Sequence, residues 1–216
     1  LPEIAWNYGT SITHLFELGE KEINFSVDYY YTDFSNQVIV DYENPREVSF
    51  YNLEGKSYSH SLQIESSIAL TPALELKAAY KWYNIKTNYN GELKTKPLTA
   101  KNRVLVNVGY VTNVDKWKFD LTGNWFDMSR IPSTISNPAE YVVSTKSEPY
   151  YTLNGQITKA FKKFDVYVGA ENILNYKQEN PILAADNPNG PNFDASLVWG
   201  PIIGRNIYFG LRYKIK

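Results

Sequence analysis

His14 and His60 are the only imidazoles in the chain, and it has no cysteine. A histidine working as general base or metal ligand needs a second polar group within hydrogen-bond or ligand reach. Counted at every second residue, His14 falls between Ile12 and Phe16, and His60 between Tyr58 and Leu62. Both share a register with apolar side chains, and neither has a carboxylate or imidazole partner at ligand spacing. Nucleophilic catalysis and metal ligation are therefore disfavoured, a role as interfacial rings is expected, and neither an enzyme nor a cofactor is predicted.

Two further groups carry chemistry. Asp28, Glu65, Glu75, Asp120, Asp165 and Glu171 occupy the opposite, polar register, as do Lys77, Lys81, Arg103, Lys118, Arg212 and Lys214. On a wet surface these charges can guide a solute, but opposite charges on adjacent strands more commonly pair with each other or contact whatever fills the space they face. The second group lies between residues 172 and 202, where Gln178, Asn180, Asn187, Asn189, Asn192, Asp194 and Trp199 are set among four prolines. Amides and an exposed indole can hold a sugar or a siderophore, and they equally cap strands in a proline-stiffened loop. Arg130, Glu140 and Tyr141, in a loop over 129–148, are the second choice; Met128 alone is a poor soft-metal ligand. The candidate ligand-contacting residues are Arg130, Tyr141, Gln178, Asn187, Asn189 and Trp199.

The elements that must position these residues are strands. Period-two alternation dominates: Ile4, Trp6, Tyr8, Thr10, Ile12, His14, Phe16 and Leu18 take one face, and a turn at Gly19-Glu20 leads to Ile23, Phe25, Val27, Tyr29 and Tyr31. The same unit recurs over Tyr58–Leu70 and Leu74–Trp82, Val104–Tyr110 and Trp117–Trp125, and Tyr151–Ile157 and Phe164–Ala170, with a ninth strand over Ile207–Ile215. Short turns near 19, 72, 114 and 162 alternate with long polar connections over roughly 33–56, 86–100, 129–148 and 172–202. Short turns on one rim and long loops on the other are the asymmetry of an outer-membrane barrel, the short ones being periplasmic. A soluble sandwich or lipocalin-like barrel also alternates. The hydrophilic second face, the strand length and the 18 Tyr, 10 Phe and 5 Trp, many near strand ends, favour the membrane wall.

Composition excludes other classes. No apolar run approaches the roughly 18 residues of a spanning helix. With 22 Lys+Arg against 23 Asp+Glu, a net of −1, a basic nucleic-acid footprint is absent. No charged n-region, apolar h-region or cleavage site follows Leu1, so a secretory leader is expected to have been removed or to belong to preceding sequence.

The tail, Tyr208-Phe209-Gly210-Leu211-Arg212-Tyr213-Lys214-Ile215, resembles the C-terminal signal read by the assembly machinery of outer-membrane barrels, with Ile215 at the usual aromatic position and Lys216 appended. Tyr208, Gly210, Tyr213 and Ile215 are its expected carriers. The stretch Val168-Gly-Ala-Glu-Asn-Ile-Leu-Asn-Tyr176 resembles the penultimate-strand segment of TonB-dependent receptors. Trp199-Gly-Pro-Ile-Ile-Gly-Arg205 is similar to the approach to their final strand, particularly in members from Bacteroidota.

The resemblance implies an all-β, antiparallel transmembrane β-barrel of about 22 strands around an N-terminal plug. Residues 1–216 would supply its C-terminal nine strands, the plug and about thirteen strands lying upstream. It implies residence in the bacterial outer membrane, energy from a TonB complex, and import of a siderophore, haem, cobalamin or oligosaccharide. Outer-membrane lipid, the rest of the barrel with its plug, and a surface lipoprotein or other outer-membrane proteins are the implied partners. The alternatives are a receptor-fold structural subunit of an outer-membrane assembly or secretion complex, and a passive porin. A first strand beginning at the extracellular rim fits a chain nicked at an exposed loop or a piece of a longer one.

Overall fold

The computed structural model describes residues 1–19, 21–45 and 47–215. Of the expected Gly19-Glu20 turn, Glu20 lies outside the described residues, as does the appended Lys216. Twelve strands follow in order: β1 (Ile4–Leu18), β2 (Lys21–Asn36), β3 (Val38–Asp41), β4 (Ser49–Asn52), β5 (Ser57–Thr71), β6 (Leu74–Tyr89), β7 (Glu92–Thr95), β8 (Asn102–Val111), β9 (Trp117–Phe126), β10 (Tyr150–Ala160), β11 (Phe164–Glu171) and β12 (Asn206–Tyr213). Nine of them form one antiparallel meander in the order β1-β2-β5-β6-β8-β9-β10-β11-β12, with β7 added to β6. These nine are the nine strands that the alternation predicts.

Register confirms the two faces. Tyr29, Leu62 and Trp82 line up across three strands, and so do Val108, Leu121, Gly155, Ala170 and Ile207 across five. This face stays open: Ile12 is 61 % exposed and Phe209 90 % exposed. A soluble sandwich would bury such a face against a second sheet. Here the only clusters of buried apolar residues among those described lie at the long-loop end, one joining Ile39 and Leu53 to Tyr89 at the tip of β6 and one around Ile131, Leu183 and Leu197 in the connections. An exposed apolar face of this extent is matched to lipid.

Aromatic rings collect towards the two ends of that face. Near the long-loop rim, His60 lies among Tyr29, Tyr31, Tyr58 and Trp82, with its Nδ1 2.8 Å from the Tyr29 hydroxyl. Near the short-turn rim, Phe119 meets Tyr110 and Trp117, and Phe16 meets Phe25 and His14. Both histidines thus share the apolar face with these rings.

Some of the charges on the polar face are paired locally. Lys77 reaches Glu65 at 3.2 Å and Lys214 reaches Asp165 at 2.8 Å, while Ser11 donates to Asp28 at 2.5 Å and Asn107 to Asp120 at 3.1 Å. Where this face needs large rings it places them over glycine. Tyr208 stands opposite Gly169 and Tyr167 opposite Gly210, and each ring occupies the space that a Cβ on the facing glycine would need.

Three features depart from the sequence-based expectation. The connection over 33–56 contains the β3–β4 hairpin. β6 runs beyond Trp82 to Tyr89 and returns through Asn90 (φ 49°) and Gly91 (φ 89°) into β7, both turn residues taking the left-handed conformation of a type I′ turn. The last strand ends at Tyr213 rather than Ile215, because its partner β11 begins at Phe164, opposite Tyr213.

Candidate functional site: the loop cap

Four long connections leave the wall on the same rim: L1 (37–56), L2 (90–101), L3 (127–149) and L4 (172–205). Rigid strands that carry variable loops on one side are the usual support for a recognition surface. These loops pack against one another through ion pairs, hydrogen bonds and an apolar cluster.

Arg130 of L3 is the hub. Its Nη1 and Nη2 donate to Glu43 of L1 at 2.9 and 2.5 Å, and its Nε donates to the Thr95 carbonyl at 2.6 Å. Lys94 adds a second cation 3.7 Å from Glu43. A planar guanidinium satisfied on both edges is a fixed bracket between three loops. Beside it, Asp41 accepts from the Tyr51 hydroxyl at 2.6 Å and from Asn90 at 3.1 Å. Burial, then the hydrogen bond to Asp41, holds the Tyr51 phenol well above its ordinary range, and burial followed by the Glu43 charge raises Tyr42.

Gln178 is the brace of L4. It is buried, its Oε1 accepts from the backbone N–H groups of Trp199 (2.8 Å) and Gly200 (3.0 Å), and its Nε2 donates to the Leu197 carbonyl at 2.9 Å. Trp199 packs on Tyr150, which also stacks on Tyr176 and Phe126 at centroid distances of 5.0 and 4.7 Å. The two motif segments of the sequence close on each other. Asn172 receives the Tyr176 N–H and donates to the Tyr176 carbonyl, and Arg205 donates to the Ile173 carbonyl at 2.9 Å while its own N–H reaches Asn175. Asn172 and Asn175 both take positive φ, which asparagine tolerates better than most residues.

The predicted site residues therefore separate. Arg130 and Gln178 are spent on holding the loops, and Trp199 is half-buried in the aromatic stack. Asn187 and Asn189 are exposed on L4. Tyr141 of L3 lies near Asp186, whose charge, ahead of burial and Glu140, raises its phenol. L1, absent from the candidate ligand residues, contributes most to the open clefts. One, of about 420 Å³, is lined by Asp41, Glu43, Asn44, Glu47, Asn90 and Ser133; another, of about 360 Å³, lies between Tyr42, Asn44 and Glu47 of L1 and Phe193, Asp194 and Ser196 of L4. The legible signal was Asn90-Gly91, a hairpin dipeptide that marks an ordered loop rather than a loose one. Among the described residues no group of three His, Cys, Asp or Glu side chains is arranged to hold a metal.

The sequence matches the family model "TonB dependent receptor-like, beta-barrel" over residues 1–173. The chain belongs to this family. The match includes β1 to β11 and stops before Trp199, so the TonB-dependent receptor assignment rests on the strand region and not on the tail motifs. Solved receptors share the fold. The ferric enterobactin receptor of Pseudomonas aeruginosa, in complex with enterobactin, aligns at TM-score 0.67 and 14 % identity, over 97 % of this chain and 31 % of its own. The ferripyoverdine receptor of the same organism aligns at 0.63 and 17 %, over 98 % and 27 %. The ferric-catecholate import receptor Fiu of E. coli K12 aligns at 0.60 and 13 %, over 96 % and 27 %. The chain thus spans under a third of the receptors it matches, and it is a wall segment of an outer-membrane TonB-dependent receptor barrel. No curated protein sequence matches it.

Proposed function

We propose that the chain supplies the C-terminal wall and part of the solute-facing cap of a TonB-dependent importer, a plug and earlier strands completing the barrel. A scarce solute binds at the extracellular rim, and force from a TonB complex on the plug releases it inward. The observation that supports this reading most is the loop cap, in which Arg130 ties L1, L2 and L3 together, Gln178 folds L4 on itself, and Ile131 of L3 packs with Leu183 and Leu197 of L4, leaving open polar clefts. A porin needs an open mouth rather than interlocked loops.

The L1 clefts are rich in carboxylate, amide and hydroxyl groups. Such a lining, with Glu43 already paired to Arg130 and Lys94, supports a neutral, hydroxyl-rich solute such as an oligosaccharide. Asn187, Asn189 and Tyr141 are the exposed L3 and L4 contacts, and the tail residues Tyr208, Gly210, Tyr213 and Ile215 serve assembly. The Gly-Pro-Ile-Ile-Gly-Arg segment supports a Bacteroidota-type receptor.

The second reading, a structural subunit of an outer-membrane complex, is favoured by the same cap acting as a protein-binding surface, for a surface lipoprotein or another outer-membrane protein. Growth of a deletion strain on separate iron, cobalamin and glycan sources tests the import reading. A defect on one source, restored by the complete gene but not by one lacking its TonB-contacting segment, is expected. Normal growth on every source rejects import and leaves the scaffold.

A further inference from the structure

The lipid-facing wall is not uniform. At the level of Gly155 the row Val108, Leu121, Gly155, Ala170, Ile207 has its smallest side chains in the middle, and Ile173 overhangs it from L4. A Cβ at Gly155 would stand 3.3 Å from both Leu121 Cδ1 and Ile173 Cδ1, so the glycine is the floor of a narrow apolar groove of about 490 Å³. Four residues along β10, roughly 13 Å at the rise of a strand, is Lys159. It is the one charged side chain on the outward register of β8 to β12 among the described residues. Its Nζ lies 4.7 Å from the Trp117 ring centroid and 5.4 Å from that of Phe161.

Lys162 and Lys163 follow in the short turn. The Lys116 carbonyl accepts from Ala160 at 2.9 Å, which brings Lys116 to the same patch. Among the described residues none of these four lysines forms an ion pair with a carboxylate.

We propose that this groove is a binding site for an anionic glycerophospholipid of the periplasmic leaflet. The phosphate sits among Lys159, Lys162, Lys163 and Lys116, and one acyl chain rises between Phe119 and Ile157 to lie over Gly155. Length agrees, since half of a hydrocarbon core about 30 Å thick places Gly155 near the depth that a chain anchored at the rim reaches. Charge agrees, since lysines at a membrane surface attract anionic headgroups. The groove is continuous with the lipid-facing surface, so its occupant arrives by lateral diffusion, and the site is independent of the imported solute.

The complete receptor, purified in mild detergent from its own outer membrane, is examined by native mass spectrometry with lipid identification. The wild type is expected to retain one anionic glycerophospholipid. Gly155→Leu, which fills the floor, is expected to lose it at least ten-fold. Ala78→Leu, a similar enlargement elsewhere on the lipid face, is expected to retain it. Lys159→Gln, which leaves the groove intact, is expected to bind less of it and to lose the headgroup preference, and this variant carries the test if Gly155→Leu does not assemble. No retained lipid in the wild type, retained lipid A instead of a glycerophospholipid, or equal retention by wild type and Lys159→Gln overturns the proposal.

Discussion

Glu43 and Arg130, 87 residues apart in the chain, meet in a two-pronged ion pair at 2.9 and 2.5 Å. Neither side chain is free to solvent, with 15 % and 23 % exposure respectively. Partial burial makes the pair matter more than a surface bridge, since an opened partner leaves an uncompensated charge among three loops. In a double-mutant cycle of Glu43→Gln and Arg130→Met, a coupling of about 1.5–3 kcal/mol is expected, the range for hydrogen bonds to charged groups. Hydrogen exchange should quicken in 37–56 and 127–149 and stay unchanged in β5 and β6. A coupling near zero contradicts the bracket.

Gln178 holds three backbone groups with one amide. Gln178→Leu keeps the volume and leaves the N–H groups of Trp199 and Gly200 and the Leu197 carbonyl without that partner, at about 1–3 kcal/mol for each that stays buried. The loss is expected as faster exchange at 197–200, with the β10–β11 ladder untouched. Unchanged protection there contradicts the brace.

Tyr167 covers Gly210 as Tyr208 covers Gly169. Gly210→Val forces the Tyr167 ring aside, an overpacking cost of about 1–3 kcal/mol. The fraction of receptor showing heat-modifiable mobility on gels should fall, and the pair Gly210→Val with Tyr167→Ala should recover it. Failure of the second change to restore assembly shows that Gly210 serves the assembly machinery directly rather than the packing.

The raised phenols of Tyr51 and Tyr42 give the cap a pH dependence of one sign. Their folded values exceed the ordinary 10.0, so the fold holds the protonated form more tightly than the open loop does. That contribution is complete below the ordinary value and is lost as pH rises through the raised one. Proteolysis of L1 should accelerate at about pH 11, near the ordinary tyrosine range, and hardly change between neutral pH and about 9. Tyr51→Phe should be looser at neutral pH and respond less to alkali. Protection of L1 that is flat through this range contradicts the assignment.

The wall was readable because its physics is local. Each residue from Ile4 to Leu18 faces lipid or water in turn, and a period of two survives in the sequence whatever the rest of the barrel does. The cap was not readable in the same way. Nothing in one sequence couples Glu43 to Arg130, and Arg130 and Gln178 read as ligand contacts because a polar side chain in a loop looks the same whether it serves a solute or its own backbone. Asn90-Gly91 did announce a hairpin, but with only four strand residues on its far side it was lost inside a long polar connection.

These 216 residues hold no cysteine, so a thiol placed in them is the only one in this stretch of the wall. Spin labels introduced singly from Tyr151 to Thr158 in the complete receptor, in its native outer membrane, measure the alternation directly. Collision with oxygen should be high at Tyr151, Leu153 and Ile157, and collision with a water-soluble nickel chelate should be high at Thr152, Asn154 and Gln156. Accessibility that varies smoothly along β10, or that never favours oxygen, contradicts a wall with lipid on one side and water on the other.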